Sequence, residues 1–422
     1  MSASFVIYTK MKIQSAIRFL AFLILAFLFL ECRSTSNQSN NHKAIPIIDI
    51  GKQADNREIE YLSRYSTNID YIPLETCQEG MISDALYTKM RIHDNKFYFF
   101  SPTSDTPILC FDCNGKFVKE IGVKGRSNNE YIGNIWNVII NTDNSDITLI
   151  EKSKWLVYDS THSYKQTLQI NHNNLNPTEA YYLRNNQYVY LNRGNEKEFY
   201  FNKGRINNII EDKLIIIDSS GNNLQTIGIG YQFIANTTDA NTISRPSIIQ
   251  SHLFSTDDKI TIVSNNDTIY ELTSTPVLLK PKYKLNFGKY KKNLKFVGAN
   301  MNQSNLYFDT KDFIFFTMLF PIKSFPEFSP KYTYSSFIYD KNNQKIKSLL
   351  YNDTFGYIGL YNDLDYGAPF SPHYVKNGKM YQIVNADEFI TMAQLSKSDK
   401  MKSIANKLTE ESNPVIISIT LI

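Results

Sequence analysis

The amino-acid sequence predicts an all-β fold, a six-bladed β-propeller made of four-stranded antiparallel blades. Three observations support this prediction: a hairpin phrase that recurs along the chain, a second hairpin before each copy, and strands near both chain ends that can share one blade. No linker rich in Pro, Gly or Ser interrupts the chain after its N-terminal region. We therefore expect a single propeller domain over residues 49–422.

The recurring phrase is an apolar strand that ends in an aromatic and an acidic residue, followed by a polar turn and a second strand. The acidic residues of the five copies are Asp112, Asp159, Asp218, Glu271 and Asp340. The turns contain Asn, Ser and Gly, which readily accept positive φ between two strands. Each copy therefore predicts a β-hairpin.

A further pair of strands precedes each copy, again as apolar segments joined by a turn with Asp or Asn. These segments are 90–100, 138–150, 181–190, 254–263 and 306–316. Two successive hairpins make one four-stranded blade, and a blade buries its two faces only by stacking against its neighbours. Stacked β-sandwiches are the alternative all-β arrangement, but the regular succession of units favours the propeller.

The sixth unit is not continuous in sequence. Its first hairpin is 373–384, and residues 401–408 then show helical periodicity before the last strand, 414–421. We predict that the N-terminal strand 69–74 supplies the missing strand of this blade. Both chain ends would then share one sheet, which closes the ring and leaves no long unpaired edge between blades.

The first 31 residues have the layout of a secretory signal peptide, because basic residues precede an apolar run over 19–30 that is short for a membrane span. Cys32 and a polar tether over 32–48 follow. The arrangement resembles a bacterial lipoprotein signal. That resemblance implies acylation of Cys32 and an exported protein held at the outer membrane or at the periplasmic face of the cell envelope. An ordinary cleaved signal is the alternative.

Composition and cysteine pattern exclude several classes of function. The formal net charge is only +4, so we expect no nucleic-acid partner. Apart from Cys32 the cysteines are Cys77, Cys110 and Cys113, an odd number that does not predict a disulfide framework. The Cys110/Cys113 pair lies in a strand–turn–strand pattern, without the helix N-terminus of a redox dithiol or the second pair of a zinc site.

Three phrases carry a resemblance to a known family. They are Ile-Asp-Tyr-Ile-Pro-Leu-Glu-Thr at 69–76, Ile-Gly-Val-Lys-Gly-Arg-Ser-Asn-Asn-Glu-Tyr at 121–131, and Asn-Asp-Leu-Asp-Tyr-Gly-Ala-Pro-Phe-Ser-Pro at 362–372. With the repeats, they resemble the six-bladed β-propeller lipoproteins of Bacteroides-type bacteria, which are related in shape to NHL and TolB-like propellers. The resemblance covers residues 45–422 and implies the fold and the envelope location, but no settled activity.

This sequence departs from the family phrases at four positions. Ser127 and Asn128 stand where the family has Gly and Pro, Tyr366 stands for Gly, and Ser371 stands for Trp. The resemblance therefore does not assign functional residues.

Candidate ligand-binding residues lie on the connections between units, which meet at one mouth of a propeller's central channel. They are Lys124, Arg126, Glu130, Tyr131, Arg245, Asp363, Asp365 and His373. Their charges suit a glycan, a peptide or a partner protein. The alternative is that Glu130 and Tyr131 hold neighbouring blades together, and that Asp363 and Asp365 bond the amides of their own turn.

The sequence contains no recognisable catalytic motif. Its six histidines are scattered without the spacing of a metal site, and we expect His93 and His162, in hairpin turns, to face water. We predict no catalytic residues, no metal ligands and no cofactor. Two functions stay open: a monomeric, non-catalytic binding or scaffold module, and a lyase or lactonase-like hydrolase that would hold a divalent ion such as Ca²⁺ in the channel.

Overall fold

The protein is a ring of six small antiparallel sheets, a six-bladed β-propeller, as the computed structural model shows. The structure describes residues 44–82, 88–103, 106–151, 154–170, 179–192, 212–229, 251–263, 267–293, 307–320 and 333–422. The chain divides into two compact units, Met1–Ala44 and Ile45–Ile422. The second contains all the described strands and helices, and none of these helices is long and apolar enough to cross a membrane.

Three strands precede the first blade: β1 (Ile47–Asp49), β2 (Arg57–Glu58) and β3 (Ser66–Pro73). Blade 1 contains β4 (Lys89–His93), β5 (Lys96–Phe100), β6 (Ile108–Asp112) and β7 (Phe117–Ile121). Blade 2 contains β8 (Asn137–Ile140), β9 (Ile147–Ile150), β10 (Lys154–Tyr158) and β11 (Tyr164–Gln169). Blade 3 contains β12 (Ala180–Leu183), β13 (Gln187–Asn192), β14 (Lys213–Asp218) and β15 (Asn223–Gly228).

Blade 4 contains β16 (His252–Thr256), β17 (Lys259–Val263), β18 (Thr268–Ser274) and β19 (Val277–Asn286). Blade 5 contains β20 (Tyr307–Asp309), β21 (Phe313–Phe320), β22 (Thr333–Asp340) and β23 (Lys345–Leu349), and a small hairpin follows it, β24 (Tyr351–Asn352) with β25 (Tyr357–Ile358). Blade 6 combines β26 (Tyr374–Lys376), β27 (Lys379–Val384) and β28 (Val415–Leu421) with β3. The helices are α1 (Ile50–Gln53), α2 (Ala386–Leu395) and α3 (Asp399–Ala405), and 3₁₀ turns lie at Leu62–Arg64, Gln78–Gly80 and Gly288–Asn293.

The first strand of each blade is the innermost. β4 contacts β8, β8 contacts β12, and β16 contacts β20, so these strands surround the central axis. Within each blade the strands then follow one another outward in antiparallel order. Two hairpins per blade are therefore confirmed as the repeating unit.

The predicted ring closure is also confirmed. β3 pairs antiparallel with β28, in a register that places Ile72 opposite Ile416 and Ile69 opposite Ile419. The C-terminal residue lies at the start of this pair, where Ile422 N donates to Tyr65 O (3.1 Å). Blade 6 is therefore completed by the N-terminal part of the chain.

The N-terminal segment also covers two other blades, which the sequence did not predict. β1 adds a fifth, parallel strand to blade 4, and β2 does the same for blade 5. β1 begins at Ile47, within the stretch predicted as tether. The nearly fully buried Glu60 fastens the segment, since it accepts hydrogen bonds from Arg64 (3.0 Å), Tyr65 (2.9 Å) and Lys347 of β23 (2.5 Å).

Hydrophobic side chains fill the space between neighbouring blades, and the described residues form six such clusters, one at each interface. The cluster between blades 6 and 1 contains Ile416 and Phe99, so the closure is packed as well as hydrogen-bonded. The cluster between blades 5 and 6 includes Phe389 of α2 and Met401 of α3. Burial against the next blade is the main stabilising term for each sheet.

The acidic residue that marks each repeat caps the turn between the third and fourth strands. Asp112 Oδ1 accepts hydrogen bonds from the amides two and four residues later (2.9 Å each), and Asp159 and Asp218 do the same. Asp340 bonds the amides two and three residues later. Glu271 differs, because it pairs with a lysine of β19 (2.7 Å). The acidic residue of the repeat therefore stabilises a turn and does not mark a ligand site.

Candidate functional site

The two ends of the propeller differ in how strands are connected. At the turn end, the first strand of a blade joins the second, and the third joins the fourth, through short turns such as 94–95 and 113–116. The opposite end, which we call the loop end, carries the connections between blades and between second and third strands. Among the described residues they include 122–136, 350–373 and 385–414. Binding residues concentrate on long connections held by a rigid scaffold, so the loop end is the candidate site.

The connection 122–136 carries four of the predicted residues, and two of these are structural. Tyr131 is 3% exposed in the cluster between blades 1 and 2. Glu130 Oε2 accepts a hydrogen bond from Ser127 N (2.8 Å). Lys154 of β10 donates to the carbonyl oxygens of Ser127 (3.1 Å) and Glu130. Tyr131 thus packs between two blades, as the alternative interpretation expected, whereas the Glu130 carboxylate bonds within its own connection.

Lys124 and Arg126 lie on the same connection and are exposed. Two apolar neighbours, Val123 and Ile132, are 61% and 57% exposed. The backbone beneath them is held by hydrogen bonds from Tyr131 N to Val123 O (3.0 Å) and from Gly125 N to Tyr131 O (2.9 Å). This part of the loop end therefore presents cationic and apolar groups on an ordered backbone.

Asp363 and Asp365 lie at the loop end, but they bond more than their own turn. Asp363 accepts from Ser63 N (2.9 Å) and Ser63 Oγ (2.6 Å), in the N-terminal segment. Asp365 accepts from Gly367 N (3.0 Å) in its own turn, and also from Tyr71 Oη of β3 (3.0 Å) and Ser398 Oγ (2.6 Å). Asp365 thus bonds an amide of its own turn, as the alternative interpretation expected, whereas Asp363 bonds Ser63 instead; both carboxylates also connect distant segments.

Ser398 is the N-cap of α3, where its hydroxyl accepts from Met401 N (3.0 Å). Asp365 therefore joins three elements: the connection 350–373, the N-terminal strand β3 and the helical insert of blade 6. The helical stretch predicted over 401–408 is observed in part as α3, and α2 precedes it. Both helices lie at the loop end, on the connection 385–414.

His373 is partly buried and does not face the channel mouth as a free base. Its Nδ1 accepts a hydrogen bond from Ile383 N (3.3 Å), and its own N donates to Tyr381 O (2.8 Å). Burial lowers the pKa of His373 to about 4. The imidazole is therefore neutral near neutral pH and holds β27 in place. Arg245, the eighth predicted residue, lies outside the described residues.

The expectation that His93 and His162 face water was wrong, since both are partly buried. His93 Nε2 lies 2.8 Å from Ser145 Oγ of blade 2, and His162 Nε2 lies 3.4 Å from Tyr98 Oη. Burial is the main cause that lowers the pKa of His162 to about 4. These histidines therefore pack against neighbouring groups instead of facing solvent.

Sequence reasoning missed Arg91, a partly exposed residue of the innermost strand β4. Its Nε donates to Val138 O (3.0 Å), one terminal nitrogen to Met90 O (3.1 Å), and the other to Asn137 Oδ1 (2.7 Å). The guanidinium carbon lies 5.8 Å from the centre of the Tyr181 ring of blade 3. No local signal set Arg91 apart, because β4 reads Lys-Met-Arg-Ile-His and contains basic residues at Lys89 and His93 as well.

The turn end of the channel is closed by bonds between blades 4 and 6. Lys376 Nζ lies 2.6 Å from Asp258 Oδ1, and Asn377 N donates to Asp257 Oδ1 (2.6 Å). Blades 4 and 6 are not neighbours in the ring, so these contacts cross the mouth.

Metal and thiol chemistry find no support in the described part of the chain. Within it, no three His, Cys, Asp or Glu side chains are grouped so that they could hold a metal ion. Cys110 is buried in β6, and burial raises the pKa of its thiol to about 11. Cys113 is exposed in the turn that follows. This placement agrees with the structural role expected for the Cys110/Cys113 pair.

Comparison with known protein families identifies the family of this chain. A family described as "Domain of unknown function (DUF4934)" matches residues 45–420. The chain belongs to this family. The DUF4934 chain is similar to the crystal structure of a Bacteroides fragilis protein named as a candidate exported protein, with 15% identical residues and a TM-score of 0.58. The match covers 89% of this chain and 99% of that chain, and at this identity it shows the fold alone.

Two more solved structures are similar, but their TM-scores are too low to support a conclusion about this chain. The Pan2 WD40 domain of Neurospora crassa matches with 10% identity and a TM-score of 0.36, over 68% of this chain and 73% of that one. PorZ of Porphyromonas gingivalis, a surface component of the type-IX secretion system, matches with 10% identity and a TM-score of 0.34, over 71% and 30%. No curated protein matches the DUF4934 chain.

Proposed function

We propose that this DUF4934 propeller is a non-catalytic binding module of the cell envelope, anchored by a lipid on Cys32, whose loop end binds a glycan, a peptide or a partner protein. The difference between the two propeller ends carries the proposal. Capped turns and bridges between blades occupy the turn end, whereas the loop end has the long connections and the helical insert. Such a division is typical of a rigid scaffold that displays a binding surface.

The connection 122–136 supports the loop end as the contact surface. Its exposed Lys124 and Arg126 can attract acidic groups, and its exposed Val123 and Ile132 can bury apolar area. Other exposed apolar residues of loop-end connections are Met81, Tyr366 and Leu395. Because the backbone of 122–136 is already held by Glu130 and Lys154, binding would require little ordering of the protein.

The test is a ligand search with the mature protein on a glycan array and in pull-down experiments, followed by two matched variants. Lys124→Ala/Arg126→Ala removes two charges from the loop end. Lys116→Ala/Lys345→Ala removes two exposed charges from the turn end. We expect the first pair to weaken binding by about tenfold or more and the second to leave it unchanged. A ligand that loses affinity only with the second pair would place binding at the other end and contradict the proposal.

The anchor has a separate test, since it does not depend on the ligand. Labelling with radioactive palmitate should mark the wild-type protein and leave the Cys32→Ala variant unmarked. The variant should also be released from the membrane fraction, because a single lost lipidation site removes the apolar attachment. Wild-type protein without label would show an ordinary cleaved signal.

A further inference from the structure

Arg91 is held in one orientation by neutral groups. Its three hydrogen bonds go to two backbone carbonyls and one amide oxygen, in blades 1 and 2. Asn137, which supplies the amide oxygen, is fully buried and is itself fixed by a bond from its Nδ2 to Ala180 O of blade 3 (3.0 Å). Three blades therefore determine where the guanidinium points.

The charge of Arg91 is not neutralised within the described residues. Two half-buried lysines of the propeller, by contrast, have carboxylate partners: Lys282 lies 2.7 Å from Asp309, and Lys347 lies 2.5 Å from Glu60. No carboxylate of the described residues forms an ion pair with Arg91. Glu179, on the nearby start of blade 3, bonds His252 (3.0 Å) and Leu253 N (2.6 Å) instead. A half-buried charge without a counter-ion is unfavourable unless something compensates it.

Arg91 also keeps hydrogen-bonding capacity for a ligand. A guanidinium has five N–H groups, and three of them are used. The two that are left belong to the terminal nitrogens, the pair that carboxylates bind in bidentate fashion. A fixed guanidinium with two spare donors is thus arranged for a planar anion.

Aromatic residues flank the guanidinium. Tyr181 and Tyr374 lie on the innermost strands of blades 3 and 6, and both are partly exposed. Tyr374 Oη accepts a hydrogen bond from Met90 N (3.0 Å), so its own hydroxyl hydrogen can be donated to a ligand. Burial raises the pKa of both phenols, to about 12 for Tyr181, and the Arg91 charge acts against that rise. Both hydroxyls therefore stay protonated near neutral pH.

The position of the site limits how a ligand reaches it. The innermost strands begin at the loop end. The site lies near that end, because the first or second residue of three of these strands contributes to it: Asn137, Tyr181 and Tyr374. The contacts of Lys376 with Asp258 close the opposite mouth. We therefore expect a ligand to reach the site from the loop end.

We propose that Arg91 binds the carboxylate of a ligand in the loop-end half of the central channel, with Tyr181 and Tyr374 against its remainder. The carboxylate would accept two hydrogen bonds from the terminal nitrogens of Arg91. A uronic acid of a glycan and the C-terminus of a peptide both supply this chemistry. The site does not depend on Lys124 or Arg126, so it stands apart from the proposed contact surface of the loop end.

The experiment titrates the mature protein by calorimetry with three carboxylates and their neutral amides. The probes are benzoate, glucuronate and N-acetylphenylalanine, each compared with the corresponding amide. We expect at least one carboxylate to bind at 1:1 stoichiometry, and its amide to bind at least about tenfold more weakly. Binding of glucuronate alone would indicate a glycan, and binding of N-acetylphenylalanine alone a peptide terminus. Absence of binding by all three at concentrations of about 10 mM would overturn the proposal.

Variants separate this site from the loop-end surface. Arg91→Gln should weaken binding of the carboxylate by about tenfold or more, Arg91→Lys should give an intermediate loss, and Lys345→Gln, at an exposed residue of the turn end, should change nothing. Equal affinity in wild type and Arg91→Gln would overturn the proposal, while leaving the loop-end function untouched. A loss in Arg126→Gln alone would move the carboxylate to the loop-end surface and also overturn it.

A further test uses the wild-type protein, so its result does not depend on whether the variants fold. Crystals soaked in 4-bromobenzoate should show an anomalous bromine signal in the channel, with the carboxylate against Arg91. A bromine signal only at other places on the protein would contradict the assignment.

Discussion

Single polar residues in partly buried places stabilise this propeller, and His373 shows how. Its unprotonated Nδ1 accepts the amide hydrogen of Ile383, and a protonated imidazole cannot accept at that atom. Burial lowers its pKa from the ordinary 6.5 to about 4. Protonation is therefore disfavoured in the folded state and not in the unfolded chain.

Stability should consequently depend on pH through His373. Between pH 6.5 and about 4 the unfolded chain holds a proton on this residue that the folded protein does not. The free energy of unfolding therefore falls as pH is lowered through this window. Above the window His373 is neutral in both states and no longer destabilises the folded protein. The variant His373→Gln cannot titrate there, so its urea unfolding should depend less steeply on pH than that of the wild type. Equal slopes for the two proteins would contradict this prediction.

The acid that marks each repeat has a local role, which can be measured at Asp218. Its Oδ1 accepts from Ser220 N (2.8 Å) and Asn222 N (2.9 Å), and these bonds order the turn between β14 and β15. Asp218→Ala should lower the free energy of unfolding by about 1 kcal/mol, since the turn loses its side-chain acceptor. Glu120→Ala, at an exposed site of β7, is the control and should change it by less than about 0.5 kcal/mol. Urea titrations of both variants provide the comparison.

At the scale of elements, the helices α2 and α3 are part of the fold and not an appendage. Phe389 is fully buried and Met392 nearly so in the cluster between blades 5 and 6. Asn413, at the end of the same connection, is fully buried and bonds Ile82 N (2.8 Å) and Gly80 O (2.7 Å). The insert is therefore packed into the core through α2 and fastened through Asn413 to the segment that precedes blade 1.

Asp365 is the carboxylate on which the helical insert depends most. Asp365→Ala would remove the acceptor of Tyr71, Ser398 and the Gly367 amide at once. We expect the free energy of unfolding to fall by about 2 to 3 kcal/mol, because several partly buried donors lose their partner. Asp353→Ala, at an exposed position of the same connection, should have almost no effect. Similar urea midpoints for the two variants would contradict the role of Asp365.

At the scale of the whole molecule, closure by β3 and β28 determines whether the ring forms. Each of the six interfaces needs blades on both sides, and two of them involve blade 6. The parallel strands β1 and β2, by contrast, lie outside sheets that already have four strands. The chain ends therefore contribute very different amounts to stability.

Two deletions test this difference. Removal of residues 415–422 takes away the central strand that joins β27 to β3, so the protein should fail to unfold cooperatively in urea. Removal of residues 44–50 takes away β1, and the ring should remain folded with a lower midpoint, since buried Ile48 and Ile50 are lost. A cooperative transition without β28 would refute closure as the source of ring stability.

Local patterns in the sequence were sufficient for the propeller itself. Hairpins are short-range structures, so the phrases ending at Asp112, Asp159, Asp218 and Asp340 indicated where strands turn. The apolar strands at 69–74 and 414–421 had no other partner of the right kind, and this led to the closure. The strands β1 and β2, of three and two residues, are too short to show periodicity, and only their pairing with blades 4 and 5 makes them strands.

For the candidate site the sequence alone determined less than the tertiary structure did. It placed Lys124 and Arg126 on a connection between blades, because connection order follows from the repeat. It could not separate them from Glu130, Asp363 and Asp365, since the partners of these carboxylates were not recognisable in the sequence and, for the two aspartates, include distant segments. The contacts that fix the guanidinium of Arg91 come from three blades, which meet only in the closed ring. A missing counter-ion is a property of that assembly, and no local pattern of residues records it.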